Sequence, residues 1–128
     1  MKCRILTMTA IAAAIAATFG EPSAAGMSKP DYLSSKDRIA AEYKTAKAAC
    51  EPLSSNAKDV CMAQAKGGEK VALAELTASY QPTVKARYDA RLAHAEADYS
   101  VAKEKCDALA GAAKDACVGS AKANFGKS

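Results

Sequence analysis

The phrase CEPLSSNAKDVC, Cys50 to Cys61, returns as CDALAGAAKDAC, Cys106 to Cys117, and the recurrence extends beyond the cysteines. With an offset of 56 positions and no gap, residues 32–66 laid over 88–122 match Tyr32/Tyr88, Ala41/Ala97, Tyr43/Tyr99, Ala46/Ala102, Lys47/Lys103 and Cys50/Cys106. The same offset matches Leu53/Leu109, Ala57/Ala113, Lys58/Lys114, Asp59/Asp115, Cys61/Cys117, Ala65/Ala121 and Lys66/Lys122, while Glu42/Asp98 and Glu51/Asp107 keep their charge. Some Ala and Lys matches follow from composition alone. Tyr, Cys and Leu recurring at one offset mark a duplicated unit.

An offset of 56 is eight heptads, so both copies share one helical register. In the second, Tyr88, Leu92, Ala95, Tyr99, Ala102, Cys106 and Leu109 alternate spacings of four and three, the pattern of an a/d seam. The first repeats it as Tyr32, Lys36, Ile39, Tyr43, Ala46, Cys50 and Leu53, with Lys36 as the one polar interruption. The cysteines thus fall on faces meant to be buried. Breakers divide the chain into four helices. The first is expected over about 30–50, because Pro52 removes a donor and clashes with the preceding turn. Ser54, Ser55 and Asn56 supply turn and N-cap residues, with Asp59 expected in the first turn of a helix over about 57–79. Gly67-Gly68 is expected to weaken or kink it. Pro82 is expected to open a third helix reaching about Leu109, with Gly111 as its C-terminal cap, before a short fourth helix to about Asn124. Nothing reads as a strand.

The N-terminus places this unit in a compartment. Lys2 and Arg4 precede an apolar run from Ile5 to Phe19 that is shorter than the ~20 residues of a spanning helix. Ser23-Ala24-Ala25 then offers the small residues of a signal-peptidase site. Residues 1–25 are read as a cleaved signal peptide, with cleavage after Ala25 and Gly26 as the second choice, leaving 26–128 as a single all-helical domain built from repeats 32–66 and 88–122. An uncleaved anchor is the alternative. Cys3 precedes the apolar run and leaves with the signal.

Four cysteines then remain, and an even number in an exported chain favours disulfides. Residues 26–128 need them: only thirteen are Leu, Ile, Val or Phe, so the core is thin. Three arrangements of Cys50, Cys61, Cys106 and Cys117 compete. In the first, each phrase is the tip of an antiparallel αα-hairpin, with Cys50 joined to Cys61 and Cys106 to Cys117 across turns centred near Ser55/Asn56. Small residues such as Ala49, Ala57 and Ala65 would admit the ~5.5 Å Cα separation of a disulfide. In the second, each phrase is one continuous helix with both cysteines on one face, pairing Cys50 with Cys117 and Cys61 with Cys106; Pro52 and Gly111 count against it. In the third they are metal ligands or a redox pair, a use that ordinarily needs Cys-x2-4-Cys or Cys-x2-Cys spacing rather than ten intervening residues. The hairpin is preferred.

Other residues give weaker signals. His94, the sole histidine, falls at an outward position four residues before Asp98, and no serine or second histidine accompanies it. Glu42, Glu51, Asp98 and Asp107 are spaced among lysines as on a solvated face. Tyr43 and Tyr99 precede Lys47 and Lys103 by four residues, a spacing that permits ring contact with the lysine stem but is better used for seam packing. No phosphate loop, haem site or EF-hand is present. Without Lys2, Arg4 and Glu21, sixteen basic and thirteen acidic side chains remain, a net charge of +3 with the signs interspersed. No basic block points to nucleic acid.

The phrase Y-x2-AK-x2-C-[ED]-x-L-x3-AKD-x-C-x3-AK, with KVALAEL between its copies, resembles small exported Ala/Lys-rich proteins of Gram-negative, especially beta-proteobacterial, envelopes, some of them labelled TolA-like. The resemblance covers nearly the whole of 26–128 and implies an envelope setting. A retained anchor, a much longer helix and a globular C-terminal domain, the parts of TolA proper, have no counterpart in this reading. The expectation is an all-α chain of two disulfide-stapled antiparallel hairpins in a four-helix or coiled-coil-like arrangement. Its expected place is the periplasm, its expected role structural or interactive rather than enzymatic. No cofactor, metal, nucleic acid or stable membrane span is expected, and its partner would be an envelope protein or a second copy met through helix faces. A small periplasmic stress or chaperone-like protein is the alternative.

Overall fold

A computed structural model describes residues 26–126; the signal peptide read at 1–25 lies outside them. They form four helices, α1 Lys29–Cys50, α2 Ser55–Tyr80, α3 Val84–Cys106 and α4 Gly111–Asn124, and no strand occurs among the described residues. Each helix packs on its neighbours in the chain: α1 on α2, α2 on α3 and α3 on α4. No other pair touches among the described residues. The fold is an open array of sequential antiparallel helices.

Local chemistry sets the boundaries. Ser28 caps α1, its hydroxyl accepting from the Asp31 N–H at 3.3 Å and donating to Asp31 Oδ2 at 2.6 Å, with Pro30 in the first turn. Between α2 and α3 the expectation needs correcting. Thr83 is the N-cap of α3, accepting from the Ala86 N–H at 3.0 Å, so the helix opens at Val84 and Pro82 stands before the cap. At its other end α3 stops at Cys106, three residues short of Leu109.

At the second tip Gly111 opens α4 instead of capping the C-terminus of α3. Gly111 begins α4 with a φ of 55°, and Ser55, its equivalent in the first copy, begins α2 with a φ of 50°. Both hairpins turn through one left-handed residue at this point. A glycine there serves an entry, not an exit. Because α2 begins at Ser55, Asp59 lies beyond its first turn, which holds no acidic residue.

Gly67 and Gly68 do not break α2, which is continuous from Ser55 to Tyr80. Their roles differ. A Cβ on Gly67 would lie 2.9 Å from the Ala97 Cβ on α3, whereas one on Gly68 would meet nothing within 4 Å. Gly67 permits close approach of two backbones.

The core follows from this layered packing. Each inner helix buries two stripes, because it has a neighbour on either side. The hairpin seam was visible in the heptads. The second stripe joins the hairpins and is built from small residues: Ala63 and Gly67 on α2, with Ala86, Ala93 and Ala97 sharing one face of α3 at spacings of seven and four. Ala93 is only 3% exposed. Of Ala49, Ala57 and Ala65, only Ala65 is buried, so the approach at the hairpin tip does not depend on the other two. The outer face of α1 carries Asp37 and Lys44 where α3 has Ala93 and Ser100, so it is dressed for solvent. That is how the terminal unit of a repeat array is ordinarily finished.

Candidate interaction surface

Both hairpins are closed as the first cysteine arrangement expects. Cys50 is bonded to Cys61 and Cys106 to Cys117, each with a Cα separation of 5.6 Å. These bridges are also the centre of the packing, since Cys50 and Cys106 are the most deeply buried side chains among the described residues, at 0% and 1% exposure. A chain short of Leu and Ile uses sulfur as core volume.

An ion pair repeats beside each bridge. Lys58 Nζ lies 3.2 Å from Glu51 Oε2, and its second-copy equivalent, Lys114, lies 2.8 Å from Asp107 Oδ1. The hydrogen bond from Lys114 holds the Asp107 carboxyl below its ordinary range, and the same bond raises Lys114. One further contact ties the hairpins together: the Asn56 side-chain amide donates to the Glu104 carbonyl in the last turn of α3. It adds a second donor to a carbonyl that already accepts from the Asp107 N–H at the end of the helix. Lys70 and Glu96 pair across the same α2/α3 interface.

The remaining sequence candidates are dispersed. His94 is exposed and its Nε2 lies 2.7 Å from Glu75 Oε1, across to α2. Glu42 faces Arg38 at 3.9 Å, one turn back on its own helix. The Tyr–Lys contact that forms is Lys36 above the Tyr32 ring, 5.9 Å from its centroid; Tyr43 and Tyr99 are half-buried. Asp98 lines an open groove of about 510 Å³. Gly67, Ala97, Val101 and Phe125 also line it, with Gln64, His94 and Lys105. Its polar lining groups come from α2 (Gln64) and α3 (His94, Asp98 and Lys105). Among the described residues no cluster of three His, Cys, Asp or Glu side chains is placed to hold a metal ion, and no helix is long and apolar enough to cross a membrane.

The largest departure from the heptad reading lies on α3. Tyr88 and Leu92 belong to the second seam, yet they are 57% and 39% exposed, and Val84 one turn earlier is 78% exposed. In the first copy α2 reaches the start of the seam: Tyr32 stacks on Tyr80 with ring centroids 4.5 Å apart, and Ile39 is buried. In the second copy α4 ends at Asn124, where Phe125 caps it and Gly126 takes a φ of 63°. It stops before it reaches the N-terminal half of α3. The result is an apolar stripe, Val84–Tyr88–Leu92, on a rigid helix.

These features define an all-helical, internally duplicated, disulfide-closed chain. No protein-family model matches it, and comparison with curated proteins and with solved structures gives no match.

Proposed function

We propose that this is a non-enzymatic helical interaction protein of the cell envelope, exported to the periplasm, whose stapled hairpins present a helix face to another protein. The uncovered stripe on α3 carries this reading. Contiguous exposed apolar side chains mark a contact site. The two disulfides support an oxidising compartment, and the N-terminal sequence supports export to it. Likeness to Ala/Lys-rich envelope proteins points the same way. The test is retrieval of the tagged protein from chemically crosslinked envelopes, in wild type and in Tyr88→Ser/Leu92→Ser. A discrete partner retained by the first and lost by the second is expected; no adduct from either would overturn the reading.

A second reading, a small stress or chaperone-like protein, is favoured by Leu53 and Leu109, which stand 40% and 45% exposed at equivalent points of the two tips. Suppression of the aggregation of an unfolded client, abolished by Leu53→Ser/Leu109→Ser, would select it.

A further inference from the structure

We infer that the Val84–Tyr88–Leu92 stripe of α3 is the docking site for an acid-flanked amphipathic helix of about three turns, supplied by a different protein, an inference that rests on the interaction reading above. The molecule contains its own template. In the first copy the equivalent stretch of α1 is covered by the second half of α2, where Tyr32 meets Tyr80. The second copy keeps Tyr88 and Leu92, and among the described residues nothing covers them as α2 covers Tyr32.

Two substitutions between the copies point to an occupant. At the seam position where α1 has Lys36, α3 has Leu92, and Val84, one turn before Tyr88, stands where Ser28 caps α1. A face left to water would be expected to drift the other way. This face is more apolar where none of the described residues covers it, and burying such side chains against a partner is favourable.

Charge decides what kind of helix fits. Arg87 and Arg91 edge the stripe on one side and make no ion pair among the described residues, while the first copy has Asp31 and Ser35 at those positions. Lys85, on the other side, is engaged by Asp89 on its own helix. A second copy docking the same face antiparallel would set arginine against arginine and lysine, so self-pairing through this stripe is disfavoured. Acidic residues flanking an apolar ridge would complement it, as guanidinium groups pair well with carboxylates.

The experiment uses the full protein labelled with ¹⁵N and a peptide with the sequence of residues 69–81, the segment that covers the first seam, carrying Lys70→Glu. The expected result is saturable amide shifts centred on residues 84–95. Affinity should fall at least tenfold in Arg87→Glu/Arg91→Glu and in Leu92→Lys, which installs the first copy's residue. Shifts centred on the Gly67–Val101 groove, affinity unchanged by the charge reversal, concentration-dependent self-association through residues 84–92, or no binding would each overturn the inference. Partner retrieval from crosslinked envelopes distinguishes the two levels: a partner that still crosslinks while the peptide ignores this stripe removes the docking site and leaves the interaction reading standing.

Discussion

Gly67 of α2 sits against Ala97 of α3 so closely that a methyl group at 67 would come within 2.9 Å of the Ala97 Cβ and 3.4 Å of its Cα. The obstacle is helix backbone and its first side-chain atom, neither of which can swing away. Overpacking of this kind costs ~1–3 kcal/mol, outweighing the ~1 kcal/mol that alanine gains over glycine in a helix. Gly67→Ala is therefore expected to lower the urea midpoint. Gly68→Ala, where the new methyl meets nothing, is expected to raise stability by ~0.5–1 kcal/mol. Opposite shifts from adjacent glycines, with Ala97→Gly rescuing the first, would establish the contact.

Ser55 and Gly111 occupy the same left-handed turn with different means. A side chain in that region costs ~1–2 kcal/mol, so Ser55→Gly is expected to stabilise the first hairpin and Gly111→Ser to destabilise the second by similar amounts. Denaturant midpoints of the two variants should move in opposite directions.

The disulfides should not be equal in their consequences. Each closes a loop with a sequence separation of 11, a constraint that stabilises by roughly 3 kcal/mol in the chain-entropy account. The first hairpin retains long packing between α1 and α2 when its bond is lost. By contrast α4 touches only α3 and has 14 residues, close to the ~12–15 below which a helix is marginal alone. Cys106→Ala/Cys117→Ala should release α4 to fast amide exchange while α2 and α3 stay protected, and Cys50→Ala/Cys61→Ala should leave α1 the slower of the two to exchange.

Asp107 gives a pH signature. Its carboxyl is lowered by the hydrogen bond from Lys114, so the pair's contribution is fully present above the unfolded aspartate value of 3.8 and is lost as pH falls through the lower folded value. Lys114 is raised, so its share is present below 10.5 and disappears as pH climbs through the higher folded value. Carboxyl NMR should find Asp107 titrating below an unpaired aspartate, and Lys114→Ala should return it towards the ordinary range. The pair is exposed, and added salt should weaken the effect.

Much of the fold was legible because large residues marked it. Tyr, Cys and Leu at one offset revealed the duplication, and Pro52 with the Ser-Ser-Asn turn placed the hairpin tip, from which the disulfide pairing followed. The inter-hairpin interface was not legible, since Ala63, Gly67, Ala93 and Ala97 carry too little apolar surface to stand out in an alanine-rich chain. Gly67 looked like a breaker for the same reason: an intimate helix contact and a helix defect both ask for glycine. The exposed stripe was hidden by its own regularity. Tyr88 and Leu92 satisfy the seam pattern, and the heptads of α3 contain no sign that α4 ends before covering them. The pairing of Glu51 with Lys58 and Asp107 with Lys114 had a signal in the charges kept between the copies, at a separation no single helix would use.

The central claim, that a helix face rather than a reactive site carries the function, is tested most directly by placing a photo-crosslinking amino acid at Tyr88 and, as a control, at Lys47 on exposed α1, in cells that make the protein. A discrete protein adduct from position 88, absent from 47 and lost in Arg87→Glu/Arg91→Glu, is predicted, with the crosslinked peptide of the partner apolar on one face and acidic beside it. No adduct from position 88, or the same adducts from both positions, would contradict the account.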